Sequence, residues 1–573
     1  MKRCPECRRD YYDDSLSFCL DDGAHLLEGP ASEEPATAIL AESGAAATGS
    51  RHGEIPLEQP TRTFAPQSGA SDASNPVKPV GRRNSFISGI LSVVLVTVLG
   101  IGGYLYYDRG PTKQIESIAV MPFVNESGNA DVEYLSDGMT ESLINSLMQL
   151  PNLNVKARSS VFRYKGKETD AATIGRELNV QAILNGRIVQ RGDGLTLYLE
   201  LVDAQTGNRI WGDQYNRKQT DLISLKTEIA RDVAIKLQTK LTGADEKRLT
   251  KSYTANSEAY QLYLRGRFHT LKIIRPELLK AVSYLEKAIE IDPNYAMAYV
   301  GLADAYRGLT LGGEMRPEDY FPKAKAAAQK ALEIDNDLAE AHAMLGWLIY
   351  WYDWDWKEAE KHCKRALELD PNTSDTHMAY AHILSSVGRH EEALAAAKRS
   401  VELEPLNLRN IALETQFLIH AGRADEAISK LERALELDAN YWFAYQYKAS
   451  AFIDKGMYAE AAAAARRGYE LHKDNTRMLS FLGFALARSG KTKEARETLD
   501  NLLKLSNERF VPPYNIAMVY NGLGERDEAI AWLERGVQQR DPRLTFLKSD
   551  PKWNNLRDDP RYHGLLRKVG FPE

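Results

Sequence analysis

Stretches with clear apolar periodicity alternate along the chain with stretches that have almost none. Residues 1–25 carry few apolar positions. Residues 26–84, which include ASEEPATAILAESGAAATGS and APQSGASDASNPVKP, are rich in Ala, Ser, Gly, Pro and Glu. Such a composition cannot offset the entropy of ordering, so it predicts a disordered linker. Residues 85–107 then contain FISGILSVVLVTVLGIGGYLYY, 22 residues without a charge. That length crosses a bilayer core as one helix. Tyr104, Tyr106 and Tyr107 gather at one end, where amphipathic rings favour the membrane interface. The run has no amphipathic stripe, which argues against a buried core helix.

From residue 115 to 243 the pattern changes. IESIAVMPFV reads as a buried strand, and DVEYLSDGMTESLINSLMQL has helical spacing. NLNVKARSS predicts a second strand and TDAATIGRELNV another helix. VQAILNGRIVQ, GLTLYLELVDAQ and RIWGDQYNRK alternate like antiparallel strands joined by turns at RGDG and AQTGN. LISLKTEIARDVAIKLQTKL closes the region as a helix. The order implies an α/β domain with a mixed sheet.

Residues 255–545 repeat. Gly388, Gly422, Gly456, Gly490 and Gly524 stand 34 residues apart, each after an apolar helix-like stretch. Glycine ends a helix well because it tolerates a left-handed backbone. Ala393, Ala427, Ala461, Ala495 and Ala529 follow in register, small enough for two antiparallel helices to approach closely. Pro293, Pro371 and Pro405, with Ala439 in the same place, mark the loops. This period and pattern are the tetratricopeptide signature. About eight repeats fit, with an insertion near GLTLGGEMRPEDYFP, and residues 546–573 are expected to cap the array.

Composition narrows the function. The chain has 573 residues, 27% of them charged, and a net charge of −6, which gives no reason to expect nucleic acid. Of its four cysteines, three lie at the start: Cys4, Cys7 and Cys19, with Asp22 where a fourth would complete C-x2-C-x11-C-x2-C. Zinc ribbons join two such knuckles around a tetrahedral ion, and a carboxylate can be a ligand. His25 is the other candidate. So short a segment needs a metal to fold, so the expected cofactor is structural zinc. The alternatives are a reduced, disordered tail and an open catalytic zinc. Lys2, Arg3, Arg8 and Arg9 are matched by nearby aspartates. Lys78, Arg82 and Arg83 precede the apolar run, and Arg109 and Lys113 follow it. Both this bias and the thiols place the head in the cytoplasm and residues 108–573 outside.

SIAVMPFVNESGNADVEYLSDGMTESLINSL and NVQAILNGRIVQRGDGLTLYLELVDAQTGNRIWGDQYNR resemble the N-terminal domain of the translocation protein TolB. In that family the module sits between a signalling or regulatory domain and tetratricopeptide repeats, appended to bacterial kinases, cyclases and regulators. The cysteine start resembles the CPxC…FCxxDG heads of acidobacterial kinase-like proteins, where Asp also stands fourth. The resemblance implies a bacterial inner-membrane protein with protein contacts rather than catalysis in its α/β domain.

The fold class is therefore multidomain: a zinc ribbon, a single transmembrane helix, a TolB-like α/β domain and an all-α superhelix. The first helices of the repeats line an inner groove that takes peptides or protein segments. Position matching places Gln446, Ser450, Asp454, Arg477, Phe484, Arg488, Tyr514, Met518 and Asn521 on it. Trp347 and Trp351, within WLIYWYDWDW, take the same positions, and aromatic anchors suit binding hot spots. The competing reading packs these rings under the insertion of repeat two. Cys363 reads as a small core residue. Asp137, Glu141, Arg176, Glu177 and Asp213 show no catalytic spacing and read as solvated or turn residues, and Gly138 belongs to no phosphate loop. Kinase motifs, a P-loop, HExxH and GxSxG are all missing from the sequence. A membrane scaffold for protein or peptide partners is the leading reading. A transmembrane receptor or co-regulator acting through the head is the rival, and an enzyme with an unrecognised site in the α/β domain is the third.

Overall fold

The computed structural model describes residues 115–572 except 151, 238–240 and 313–314, together with the backbone of 2–3, 10–11 and 27–28. The chain divides into two compact units, residues 1–103 and 104–573. In the first, Lys2–Arg3 pairs antiparallel with both Asp10–Tyr11 and Leu27–Glu28. The expected ligands Cys4, Cys7, Cys19 and Asp22, the alternative His25, the linker and the apolar run 85–107 all lie outside the described residues. Among the described residues, no helix is long and apolar enough to cross a membrane.

The second unit opens with the α/β domain. Its strands are β1 (Ser117–Val120), β2 (Val124–Asn125), β3 (Asn154–Val155), β4 (Ala182–Arg191), β5 (Gly194–Asp203) and β6 (Arg209–Lys218). The sheet order is β3-β1-β4-β5-β6, with β2 also on β4. The β1, β2 and β3 pairings are parallel, and β4-β5-β6 is an antiparallel meander. Ile118, Ala119 and Val120 are fully buried, as expected of a parallel strand covered on both faces. Helices α1 (Glu133–Met148), α2 (Ala171–Leu178) and α3 (Leu222–Lys236) form where helical spacing predicts them. NLNVKARSS departs from expectation. Only Asn154–Val155 joins the sheet, and Arg158–Val161 turns into a short helix. Arg158 leaves the strand because its partners Asp137 and Glu141 lie on α1.

Eight helix pairs follow, running from Ser257–Thr270 with Arg275–Ile291 to Pro513–Leu523 with Arg526–Gln538. The glycine register holds. Gly388, Gly422, Gly456, Gly490 and Gly524 have φ of 91, 75, 72, 82 and 82°, a conformation that is costly for other residues. Ala393, Ala427, Ala461, Ala495 and Ala529 are fully buried between the paired helices. In repeat three the inner helix Ala339–Leu348 runs on as a π-helical turn, Ile349–Asp353, and ends at left-handed Trp354. Cys363 is buried against Gly346, where a Cβ would come 2.6 Å from its Sγ. Burial pushes its thiol up to about 12, so it is a packing residue, as expected.

Candidate protein-binding groove

Every second helix along the array turns the same face inward, and the side chains of those faces meet in one groove. In repeat three, Trp347 and Trp351 stack in parallel with centroids 6.0 Å apart. His382 of repeat four lies 5.2 Å from Trp347. Ser450 of repeat six, Arg477 and Phe481 of repeat seven, and Tyr514 and Asn521 of repeat eight continue the line.

The groove is filled by the chain's own tail. After Arg540, held left-handed at φ 51°, residues 541–571 cross the concave face from repeat eight to repeat three. Phe546 meets Trp351 edge-on at 5.6 Å and takes the Arg477 guanidinium over its ring at 5.5 Å. Lys552 Nζ donates to Ser450 Oγ at 3.0 Å and sits 5.0 Å above Phe481. Asn521 Nδ2 donates to the Lys552 carbonyl at 2.8 Å. The Tyr514 hydroxyl donates to Asp550 at 3.1 Å and accepts from Trp553 Nε1 at 2.9 Å. At the far end Trp356 Nε1 donates to the Gly570 carbonyl at 2.6 Å, and its ring stacks on Phe571. The segment starts at Asp541, lines the groove and also covers the outer helix of the last repeat, where Asp558 and Arg561 pair with Arg526 and Asp527 and Leu544 packs on Gly536.

The tail has a period of its own. DPRLTFL, DPKWNNL and DPRYHGL begin at Asp541, Asp550 and Asp559, nine residues apart. Each aspartate caps a helical turn by accepting from the backbone N–H two residues on, at 3.0, 3.1 and 2.9 Å. Proline at the first helical position presets that turn. The fourth residue of each copy (Leu544, Trp553, Tyr562) and the seventh (Leu547, Leu556, Leu565) are all buried. An Asp-Pro-basic-apolar spacing was the local signal that could have revealed these knobs. Asp550 and Lys552 form a buried ion pair at 2.7 Å, with side chains 6% and 4% exposed. Burial opposes ionisation of Asp550, yet Lys552 holds its carboxyl below the ordinary value. Burial also pushes the His420 imidazole down to about 3 and that of His382 well below its ordinary value.

The sequence-predicted residues divide. Ser450, Arg477, Tyr514, Asn521, Trp347 and Trp351 line the groove or the aromatic stack at its end. Gln446 is buried on the same helix as Ser450, Asp454 is half-buried within the field of Lys552, and Met518 is buried. Phe484 is a correction. It packs against Gly522, where a Cβ would lie 2.9 Å from Phe484 Cα, so it is consumed in helix packing. Arg488 is exposed at its helix end beside Tyr458. The tryptophans pack with His382 and the tail, whereas Tyr352 stacks on Phe321 of repeat two.

A second charged cluster joins the α/β domain to the array. Arg267 of the first repeat pairs with Glu141 at 3.1 Å and Asp304 at 3.0 Å, and Arg307 closes on Asp304 at 2.6 Å. Arg158 reaches Glu141 at 3.3 Å, and Lys165 reaches Asp137 at 2.5 Å. Asp137 and Glu141 are thus corrected from solvated residues to members of this alternating chain of charge. Asp137 is buried, and burial raises its carboxyl despite Lys165. Glu177 accepts from the Tyr164 hydroxyl, while Arg176 and Asp213 are exposed as expected. Gly138 lets α1 approach the first repeat, since a Cβ there would sit 2.9 Å from a Leu264 methyl. Ser159 also donates to Glu404, tying the domain to the far end of repeat four.

This geometry is an array of helix pairs with the tetratricopeptide period, with an α/β domain docked on its first pair. A family model described as "Tetratricopeptide repeat" matches residues 277–295, 374–405 and 514–540. Another, "HilA/YgeH-like transcriptional regulator, second domain", matches residues 113–231. The chain is 32% identical over 243 residues to "Putative adenylate cyclase 3" of Rhizobium meliloti (strain 1021), covering 41% of this chain and 40% of that protein. It is 24% identical over 296 residues to "Transcriptional regulator HilA" of Salmonella paratyphi A, covering 50% of each. The chain thus spans half or less of the curated relatives it matches. Among solved structures, YrrB, described as "a TPR protein with an unusual peptide-binding site", is 23% identical over 34% of this chain and 95% of that one, with a TM-score of 0.24. Yeast Tom70 is 14% identical over 61% of this chain and 82% of that one, with a TM-score of 0.36.

Proposed function

We propose that the chain is a single-pass scaffold of a bacterial inner membrane that binds protein or peptide segments. The observation that carries this reading is the groove's grip on a segment of short helical turns through aromatic, hydroxyl and charged side chains. That is the chemistry peptide recognition requires. The repeats support protein binding, and together with the regulator-like α/β domain they fit a non-catalytic role. In this reading residues 85–107 span the membrane, the α/β domain is TolB-like, and the repeats lie outside the cytoplasm. Zinc held by Cys4, Cys7, Cys19 and Asp22 folds the cytoplasmic head.

A second reading, a receptor or co-regulator, draws support from the curated relatives, whose names are those of a cyclase and a transcriptional regulator. The charge chain through Arg267 and Glu141 gives it a physical route, since it ties the α/β domain rigidly to the array.

The test is photo-crosslinking in intact spheroplasts from half-buried Asp454 on the groove and exposed Asp213 on the α/β domain, with tags at both ends and protease added outside. Protein adducts together with loss of the C-terminal tag alone support the scaffold in the stated orientation. A C-terminal tag that survives until lysis overturns the orientation, and adducts at neither position overturn the scaffold.

A further inference from the structure

We propose that residues 541–571 are a resident, exchangeable ligand of the groove, and that the partner segment taken up there carries the same chemistry. That chemistry is an Asp-Pro turn, a basic residue, an apolar knob at the fourth position and leucine at the seventh. The inference rests on the reading of the chain as a peptide-binding scaffold and names what the groove binds.

Three observations carry it. First, the tail is built as a ligand. Its contacts are side-chain knobs presented by a repeated seven-residue unit, and the first two copies reach the inner helices through Phe546 on Trp351 and Trp553 on Tyr514. Leu544, packed on Gly536 of the last repeat, and Trp553 are the fourth-position knobs, both fully buried. Second, the tail brings its own neutralising charge. Lys552 and Asp550 are paired 2.7 Å apart within the tail. When the tail leaves, both ions leave together, and Ser450 and the Tyr514 hydroxyl, which can hydrogen-bond to water, remain behind. A segment integral to the fold normally strands one partner of a buried pair when it is removed, which is costly. Third, the fit is incomplete. Trp351 Nε1 and Arg477 Nε are buried along this face without a hydrogen-bond partner. Unpaired buried groups of this kind are penalised. A competitor that supplies oxygen acceptors to them gains over the resident tail. It must still overcome the high effective concentration of a tethered ligand.

The experiment uses the purified full chain with a specific protease site inserted between Gln539 and Arg540, cut after folding. A fluorescently labelled synthetic peptide of residues 541–573 is then added and followed by anisotropy, with helix content monitored in parallel. The expected result is uptake of the label with helix content retained, reversed by unlabelled wild-type peptide. A Leu544→Ala/Trp553→Ala peptide should compete about thirtyfold less well, as for loss of a buried hot-spot side chain. If the cut fragment leaves only when the helices melt, or if the variant peptide competes equally, the proposal is overturned. A photo-crosslinked adduct from exposed Asp213 on the α/β domain would survive that failure, so the scaffold reading stands or falls separately.

Discussion

Lys552 Nζ lies 3.0 Å from Ser450 Oγ, across 102 residues of sequence. The contact fastens the tail to the sixth repeat, and the ammonium that makes it is neutralised by Asp550 two residues away. Lys552→Met should strand the Asp550 carboxylate in the groove and lower stability by about 3–5 kcal/mol, the usual result of breaking a buried pair. Adding Asp550→Asn should recover much of that loss, because no charge then remains. Denaturant unfolding followed by tryptophan fluorescence measures both. Additive losses in the double variant would show that the two groups do not act as a pair.

The groove histidines predict a pH dependence with a definite sign. His382 and His420 face Phe546, and burial lowers both imidazoles. Arg409 and Arg477 lie in the field of His382. Asp550, Lys552, His390 and Arg477 surround His420, and only Asp550 favours its protonation. Tail release takes Phe546 off both imidazoles and admits water, which raises their proton affinity toward the ordinary value. Closure is therefore favoured at neutral pH and weakens as pH falls through the range of an ordinary imidazole. Limited proteolysis of the tail at pH 7.5 and 5.5 should show faster cleavage at the lower pH. Equal rates in wild type, or an unchanged difference in His382→Phe/His420→Phe, would remove these groups from the account.

The inter-repeat glycines separate strain from crowding. Gly456 has φ 72° and nothing within 4 Å of where its Cβ would stand. Gly456→Ala should therefore cost about 1–2 kcal/mol from backbone strain alone. Gly456→Val should cost somewhat more, because it is β-branched. Thermal melts of both variants test this, and an unchanged melting temperature in both would contradict the helix-end geometry.

These predictions differ in how far the sequence foreshadows them. The glycine and alanine registers are local signals at a fixed period, so the eight helix pairs and their inner faces were legible. Ser450, Arg477, Tyr514 and Asn521 could be placed on the groove by position alone. What fills the groove was not legible. The Asp-Pro turns at 541, 550 and 559 are local, but where they dock depends on the curvature of the whole array. The junction was hidden for the same reason, since Arg267 and Glu141 are 126 residues apart and neither carries a local mark of its partner. Phe484 was misplaced because Gly522 of the next repeat draws it into packing between two inner helices, a contact with no local mark.

The zinc head gives a prediction at the other end of the chain. If Cys4, Cys7, Cys19 and Asp22 form the site, the purified full chain should bind about one zinc per molecule. Asp22→Ala should weaken that binding more than His25→Ala. Metal content by mass spectrometry after dialysis against a graded chelator distinguishes them, and equal losses would reject Asp22 as the ligand.

The last prediction concerns the joint between the α/β domain and the repeats. Glu141 receives both Arg267 and Arg158, with its side chain 15% exposed. Glu141→Ala leaves two guanidinium groups facing each other without their shared anion. Because the cluster keeps some contact with solvent, the cost falls between surface and buried pairs, at about 2–3 kcal/mol. Gly138→Val attacks the same joint by sterics, since its Cβ would press on Leu264 at 2.9 Å. Both variants should undock the α/β domain while leaving the repeats folded. Protease cleavage would then rise between Leu237 and Ser257, and the single melting transition would split in two. If either variant instead lowers one undivided transition, the domain and the array fold as one body and the joint is not a separable lock.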